Sequence, residues 1–440
     1  MERTKDFTKG KVNRVLLSFF FPMLLTNFLQ QLYTFVDSAI VGKGLGDNAL
    51  ASVGNMSALV LLIIGFAQGI TNGFAVVIAQ YFGGKDVHTL RKAIAISIKL
   101  SFTLALVLTT SSMLFLRRIL LIMQTDAVIL EESLQYGYII FAGLTVTMAY
   151  NLCAGILRAL GDSKTPFLAI MISSAINILL DCLFVFILGT GVGGVAVATV
   201  SAQLVSVVIC TMGLRRVTII QLTRVDLGRD TVLASELLKN GVPMACMNSV
   251  TAVGCMLVQA YVNDLGVIYT SAYSACNRYV NLFMLPAVTA GFAVSAFTSQ
   301  NLGAKEYGRI KSGVRVGLII GLVSYLLLGF TMMVFPRPLA QLLLNSQQSI
   351  NLAADFLRLC GSMFFLLNFL FVYRSAVQGM GKPFVPMCSG LLEMVVRILV
   401  ITCFLPQIGF KATAYAEVLA WIGAVLVNCG AYLMDIHKKY

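Results

Sequence analysis

The chain has 440 residues, of which 58% are hydrophobic and only 12% are charged. An average soluble protein carries about 25% charged residues, so this composition excludes most soluble enzymes and favours a chain that lies within a membrane. The formal net charge is +13. In a soluble protein such an excess would suggest nucleic-acid binding, whereas in a membrane protein it indicates which loops face the cytoplasm.

Twelve long apolar segments, separated by short polar or glycine-rich breaks, are predicted to be membrane-spanning helices. The first six cover residues 15–41, 49–79, 93–116, 134–157, 165–188 and 194–214. After a polar break, the other six cover residues 240–262, 267–299, 314–334, 350–377, 384–405 and 412–434. The predicted fold class is therefore an all-α polytopic membrane protein.

The polar break divides the chain into two predicted lobes: an N-lobe at residues 1–214, a cytoplasmic linker at 215–239 and a C-lobe at 240–440. The chain also repeats itself, because QYFGGKD at Gln80–Asp86 recurs as QNLGAKE at Gln300–Glu306, 220 positions later. Each lobe has an even number of spans, so both enter from the same side. This predicts pseudo-two-fold symmetry about the membrane normal.

Basic residues are concentrated in alternate connections between the predicted spans. Of the 32 Lys and Arg, 22 lie on the side of the N-terminus, 5 on the opposite side, and the other 5 in or at the ends of spans. The positive-inside rule then predicts that both termini are cytoplasmic. The 22 residues include Arg3, Arg224, Arg229 and Lys439.

Two acidic residues inside predicted spans are candidates for function, because an ionisable side chain in a membrane is costly. Asp37 lies in the first span and Asp181 in the fifth, each within about 10 Å of the predicted outer end. Asn177 precedes Asp181 by one helical turn, and Thr199 in the sixth span reaches a similar depth. Together they could carry a shared proton or bind a small cation. Alternatively, the two acids are separate, each capped by a hydroxyl or facing water.

Three more polar residues are candidates for the wall of a substrate cavity. Gln30 and Asn151 would form its lower part, unless they make only interhelical hydrogen bonds. Tyr136 could reach the outer pocket from the fourth span, or belong to the interfacial belt of aromatic residues.

The second half has different charges in its spans. Glu393 and Arg397 share a helical face and are predicted to form an ion pair, structural or with a role in coupling, with Arg278 as a candidate third member. Glu417 is expected at the outer surface. In the first span, Pro22 removes a backbone hydrogen bond and is either a static kink or a hinge that moves Asp37.

Several stretches resemble the multidrug and toxic compound extrusion (MATE) transporters. The first-span stretch QLYTFVDSAIVG at Gln31–Gly42 carries the family's signature. The resemblance covers nearly all of the chain and includes further stretches at Leu45–Gly46, Ala49–Gly54, Gly155–Asp162, Pro286–Ala287 and Gly291–Ala304.

This resemblance implies two six-helix lobes, alternating access, and export of varied, often cationic amphiphiles in exchange for H⁺ or Na⁺. Residues that match the N-lobe cation site of the DinF-like branch are Asp37, Asn177, Asp181 and Thr199, with Gln30 and Asn151 around them. NorM-like members carry a glutamate about eight residues after a proline of the seventh span. Here Thr251 follows Pro243 at that spacing, which argues against cation coupling in the C-lobe.

The prediction is a secondary multidrug antiporter of the bacterial cytoplasmic (inner) membrane, without a cofactor and with no metal site apart from Na⁺ at Asp37 and Asp181. Its expected partners are small amphiphilic substrates and the lipid bilayer, not nucleic acid, and it is expected to be a monomer. An alternative is a lipid-linked oligosaccharide flippase of the same superfamily, although those usually have extra spans. An enzyme is not expected, because the sequence shows no HExxH or GxSxG motif and both histidines, His88 and His437, lie in predicted cytoplasmic segments.

Overall fold

The computed structural model describes residues 5–223, 226, 228 and 230–438, and within these ranges the chain is helical with no strand. Four basic residues that contribute to the predicted orientation, Arg3, Arg224, Arg229 and Lys439, lie outside the described residues.

The helices of the first half cover its six predicted apolar segments, one of them as two helices, because a helix satisfies every backbone polar group within the segment itself. They are α1 Val12–Leu45, α2 Asp47–Gly83, α3 Val87–Ile122, α4 Ala127–Ala142, α5 Leu144–Ala159, α6 Lys164–Cys182 and α7 Gly191–Arg215. A π-helical turn at Leu183–Ile187 continues α6, and a 3₁₀ turn at Thr218–Ile220 follows α7.

The second half follows the same plan with shorter pieces. Its helices are α8 Thr231–Asp264, α9 Val267–Phe283, α10 Leu285–Gly303, α11 Tyr307–Ser324, α12 Phe330–Val334, α13 Pro336–Leu343, α14 Gln347–Ser362, α15 Phe364–Gly379, α16 Phe384–Ile408 and α17 Lys411–Lys438. A π-helical turn at Tyr325–Gly329 connects α11 to α12. Helix α8 begins inside the segment predicted as a linker.

Ten candidate spans and two bent helix pairs give twelve membrane-spanning elements in the described part of the chain, six in each half. The predicted all-α fold with twelve transmembrane helices is thus confirmed. The bends were not predicted: α4 and α5 meet at 45°, and α14 and α15 meet at 51°. Gly143, at the first break, is a poor helix former. Met363, at the second break, is a good one, so the apolar sequence there contains no residue that would indicate a bend.

The repeat of 220 positions extends to the element bounds and to the backbone. Helix α5 matches α15, and α4 matches α14, with both ends shifted by 220. Glycines with positive φ recur at the same offset: Gly46 and Gly266 have φ of 88° and 105°, and Gly161 and Gly381 have φ of 81° and 75°. The two halves therefore build the same six-span unit from largely different side chains.

Packing divides the chain into two compact units. Unit 1 contains Phe21–Ala245 and the described part of Met1–Asp6, and unit 2 contains Phe7–Phe20 and the described part of Cys246–Tyr440. Helix α1 therefore passes from unit 2 into unit 1 after Phe20, and α8 passes from unit 1 into unit 2 after Ala245. The predicted lobes follow chain connectivity, whereas these units follow packing.

Phe7 shows what holds the N-terminal segment within unit 2. Its backbone N–H donates to Gln300 Oε1 at 2.8 Å, and its carbonyl accepts from Arg309 Nη2 at 2.9 Å. Its ring lies edge-on to Phe19, with centroids 5.1 Å apart, and stacks on Phe297 at 6.1 Å. One of these contacts is made by Gln300 of the repeated motif, so in the second half this motif helps to hold the N-terminal segment in place.

Candidate functional site

Among the described acids of the first half, Asp181 on α6 is the most deeply buried, and its side chain is fully shielded from solvent. Asn177, one turn earlier on the same face, is also buried, and its amide donates to Asp181 Oδ2 at 2.7 Å. The Asn177 side-chain oxygen accepts from the backbone N–H of Thr199 on α7 at 3.2 Å. Asn177 therefore orients Asp181 and joins α6 to α7.

Asp37, half-buried on α1, lies within side-chain hydrogen-bonding reach of Asp181. We call Asp37 and Asp181 the carboxylate pair. The Oδ1 atom of each is buried and has no hydrogen-bond partner in the described part of the chain. Two ionised carboxylates have only acceptors, so a direct hydrogen bond between them requires a proton on one. Oxygen atoms are also the ligands that hard cations prefer, so the pair suits a proton or a small cation.

A tyrosine that was not predicted from the sequence completes this group. The Tyr33 hydroxyl lies within hydrogen-bonding reach of the Thr199 side chain, whose own hydroxyl donates to the Val195 carbonyl at 3.0 Å. Tyr33 precedes Asp37 by one helical turn, and that spacing places both on the same face of α1. The spacing alone could have identified it.

The predicted cavity residues have different surroundings. Tyr136 on α4 is 9% exposed and is close enough to the carboxylate pair for electrostatic interaction with both acids. Asn151 is buried on α5 and donates to the Thr147 carbonyl of its own helix at 3.0 Å, while Gln30 on α1 is exposed. Among the described residues, no hydrogen bond joins Asn151 or Gln30 to the carboxylate pair.

Unit 1 also contains an apolar cavity of about 610 Å³ that these residues do not line. It lies between α3, α5 and α7, where Phe102, Met148 and Val207 form part of its wall. Gln30, Asn151 and Tyr136 are absent from that wall, so this cavity is separate from the carboxylate pair.

The second half contains a buried network of four charges, which we call the charge cluster. Arg374 on α15 pairs with Glu393 on α16, and Glu393 Oε2 lies 3.6 Å from Arg397 Nη2. Arg397 donates to Glu417 Oε2 on α17 through Nε at 3.2 Å and Nη2 at 3.0 Å. The cluster connects three helices and its formal charges cancel.

The expectation that Glu417 lies at the outer surface was wrong, because its side chain is only 13% exposed and faces Arg397. Arg374 and Glu417 were not predicted as partners, since sequence does not show which face of one helix meets another. Arg278 on α9 is exposed and forms no ion pair within the described residues. The presence of charged residues inside the spans of the second half was the only feature of the sequence that pointed to this cluster.

Pro22 lies within α1, immediately after the point where the helix passes from unit 2 into unit 1. Its carbonyl accepts from the Thr26 hydroxyl at 2.8 Å, one turn later. Because proline removes one backbone hydrogen bond, α1 is weakened where its packing partners change.

A family model, MatE, matches residues 22–183 and 243–402. The chain is 31% identical to the probable multidrug resistance protein YoeA of Bacillus subtilis over 80% of this chain and 77% of that protein. It is 21% identical to a FAD transporter of Shewanella oneidensis, covering 91% of this chain and 89% of that one. In fold it is similar to a solved outward-facing multidrug resistance MATE family transporter, with a TM-score of 0.93, 21% identity, and coverage of 99% and 98%.

Proposed function

The chain belongs to the MatE family, and we propose that it is a secondary active antiporter that exports amphiphilic, often cationic organic compounds in exchange for H⁺ or Na⁺. The names of its relatives support a transport role, and the carboxylate pair supports the coupling. The single observation that carries the proposal is the close approach of Asp37 and Asp181, each with an unpartnered buried oxygen.

The carboxylate pair would act by changing charge. With the coupling ion bound, the pair is less negative and stable in a low-dielectric site; without it, two negative charges repel each other at short range. Asn177 ties Asp181 to α6 and α7 by hydrogen bonds, so in this proposal Asp37 on α1 is the partner that moves. Binding and release of the ion would therefore move α1, with Pro22 as the hinge, and so alternate the access of the substrate site.

The membrane potential gives enough energy for this exchange. Each net elementary charge that crosses is worth about 2.3 kcal/mol per 100 mV, so an exchange that moves one or two net charges supports roughly tenfold to hundredfold accumulation or more. The proposed location is the bacterial cytoplasmic membrane with both termini inside, supported by the asymmetry of Lys and Arg. A lipid-linked oligosaccharide flippase is not favoured, because the relatives reported above are named multidrug resistance proteins and a FAD transporter.

Reconstituted protein tests the coupling. Liposomes that contain the purified protein and ethidium are given a pH gradient or a Na⁺ gradient separately, and dye movement is followed by fluorescence. We expect transport under at least one gradient, and loss of that transport in Asp37→Asn and Asp181→Asn. Asp355→Asn is the control, since Asp355 is half exposed and pairs with exposed Lys411. Transport under neither gradient contradicts antiport, and parental rates in both site variants contradict the site.

A further inference from the structure

Asn177 in the first half corresponds to Arg397 in the second, 220 positions later. The correspondence is structural, because α6 and α16 follow equivalent helices, α5 and α15, whose ends differ by that same offset. Both residues connect the same pair of helices in their own half. Asn177 on α6 reaches Thr199 on α7, and Arg397 on α16 reaches Glu417 on α17.

What differs is the charge that surrounds this position. In the first half Asn177 is neutral and faces the carboxylate pair, which has no basic side chain bound to it among the described residues. The counterparts of Asp37 and Asp181 are Leu257 and Ile401, so the second half has no equivalent pair. Instead it places two other acids around Arg397, namely Glu417 and Glu393, the second of which also pairs with Arg374.

The guanidinium of Arg397 is surrounded by carboxylate oxygens in the way that a bound cation would be. Two of its nitrogens converge on one oxygen of Glu417, and Nη2 also lies within ion-pair distance of Glu393. The side chain is only 5% exposed, and Nη1 has no hydrogen-bond partner in the described part of the chain. A guanidinium is always protonated in proteins, so this positive charge cannot leave.

We propose that Glu393 and Glu417 form a cation site that the guanidinium of Arg397 fills permanently, at the position equivalent to the one where the proposed function, on which this comparison rests, puts an exchangeable ion in the first half. The second half then remains in the ion-loaded state throughout transport, and only the first half responds to the ion gradient. The site's ligand class is a small monovalent cation, with guanidinium itself as the best fit. Removal of the side chain should uncover a site for a free cation.

Chemical rescue tests this inference through stability, with no need for transport. The full-length Arg397→Ala variant is purified in detergent, and its unfolding temperature is measured with increasing guanidinium chloride, NaCl or choline chloride. We expect guanidinium at low concentration to raise the unfolding temperature of this variant and to leave the parent unchanged or slightly less stable. Because a charge-assisted hydrogen bond contributes about 1.5–3 kcal/mol, the effect should appear at a roughly tenfold or more lower concentration than with choline.

Two further variants make the result decisive. Arg117→Ala removes an exposed arginine whose partner Glu131 lies 3.9 Å away, so no enclosed site is created and no rescue is expected. The double variant Arg397→Ala with Glu417→Gln removes one acid together with the cation and should lose most of the guanidinium response. A response in Arg397→Ala no larger than in Arg117→Ala, or an equal response in the double variant, overturns the proposal.

If Arg397→Ala does not fold when made without additive, the same question is asked during extraction. Membranes are solubilised with and without guanidinium, and the yield of monodisperse protein is measured by size-exclusion chromatography. We expect guanidinium, and not choline, to recover Arg397→Ala; equal yields contradict the proposal. Neither readout depends on ion exchange at Asp37 and Asp181, so failure here is distinct from failure of the proposed function.

Discussion

Lys85 and Lys305 adopt the same left-handed backbone conformation, with φ of 60° and 62°, at the turn between the second and third spans of each half. They lie 220 positions apart within the repeated motif. A left-handed conformation costs a residue with a Cβ atom roughly 1–2 kcal/mol. The two halves thus share the same strained turn, which places Asp86 or Glu306 at the N-cap of the next helix.

We expect Lys85→Val and Lys305→Val each to destabilise the protein by about 1–2 kcal/mol, because a β-branched side chain fits this conformation worst. Glycine at either position should be neutral or slightly stabilising. Thermal unfolding in detergent measures both. At Lys92, inside α3, the order should reverse, because glycine is the worse residue in a helix. The same order at Lys85 and Lys92 would contradict this explanation.

Asp86 and Glu306 are the N-cap residues immediately before α3 and α11, but only Asp86 caps its helix with its side chain. Its carboxylate accepts from the Thr89 backbone N–H at 3.0 Å, whereas Glu306 makes no side-chain cap bond. Hydrogen bonds from Thr89 lower the pKa of Asp86 below its usual 3.8. A group with a lowered pKa stabilises the fold above its ordinary pKa, and this contribution is lost as the pH falls through the lowered value.

Asp86→Ala should therefore reduce stability by about 1 kcal/mol at pH 7, and the difference from the parent should shrink as the pH falls below about 4. Glu306→Ala is the matched control and should have a smaller effect at both pH values. Unfolding temperatures of the three proteins at neutral and acid pH provide the comparison. Equal losses for both variants would show that the cap contributes nothing.

Tyr33 and Thr199 offer a test of the cation site that leaves both acids in place. If the Tyr33 hydroxyl supports ion binding, Tyr33→Phe should raise the ion concentration for half-maximal transport about fivefold, since one hydrogen bond is worth about 1 kcal/mol. The maximal rate should change less. Tyr138→Phe, on the exposed side of α4, is the control. A changed maximal rate with an unchanged half-maximal concentration would assign Tyr33 to another step.

Much of the architecture could be predicted from the sequence, because each span is a long apolar run and the lipid leaves no alternative to a helix. The candidate site could be proposed from the sequence for a similar reason: Asp37 and Asp181 stand out where ionisable residues are costly. Asn177 followed from helical spacing. Tyr33 could have been found in the same way, but a tyrosine in a span has little energetic cost and so does not stand out as an ionised residue does.

The charge cluster was harder to predict from the sequence, for a physical reason. Glu393 and Arg397 share one helix, so their spacing predicts a pair, and they do approach each other. The partners Arg374 and Glu417 come from other helices, and which faces meet depends on helix rotation and packing, which composition does not determine. Glu417 was placed at the surface because span ends are uncertain by several residues, enough to move a side chain from the surface into the interior.

Gly69 and Gly73 lie one turn apart on α2 and bring its backbone against that of α8 within unit 1. A Cβ atom added at Gly69 would lie 2.4 Å from the Ala245 Cα, and one at Gly73 would lie 2.4 Å from the Gly241 Cα. Small residues at this spacing allow close approach of membrane helices. The contact is therefore made by backbone atoms, which cannot rotate away.

Gly69→Ala and Gly73→Ala should each destabilise the protein by about 1–3 kcal/mol, because the helices must separate. Gly54→Ala on the same helix meets nothing within 4 Å and should be neutral or stabilising, since alanine favours a helix. Unfolding temperatures and the yield of monodisperse protein distinguish the two cases. A Gly69→Ala variant as stable as Gly54→Ala would mean that α2 and α8 are farther apart in solution.

Two ion pairs of the second half differ in burial, and the loss of one member should cost more stability in the buried pair than in the exposed one. Lys411 and Asp355 approach to 3.3 Å with side chains 63% and 50% exposed, whereas Glu393 is 3% exposed between Arg374 and Arg397. Exposed pairs contribute about 0–1 kcal/mol because water screens them. Removing one member of a buried pair costs about 3–5 kcal/mol, because the remaining charge has no compensation.

Asp355→Asn should therefore leave the unfolding temperature almost unchanged, while Glu393→Gln lowers it strongly. The double variant Glu393→Gln with Arg374→Gln should recover part of the loss, because it removes the uncompensated positive charge along with its acid. This recovery separates charge balance from packing, since two glutamines fill less space than the parental pair. The alternative is that the losses of stability in Glu393→Gln and Arg374→Gln simply add in the double variant. In that case the two residues act independently, and the buried pair contributes through packing alone.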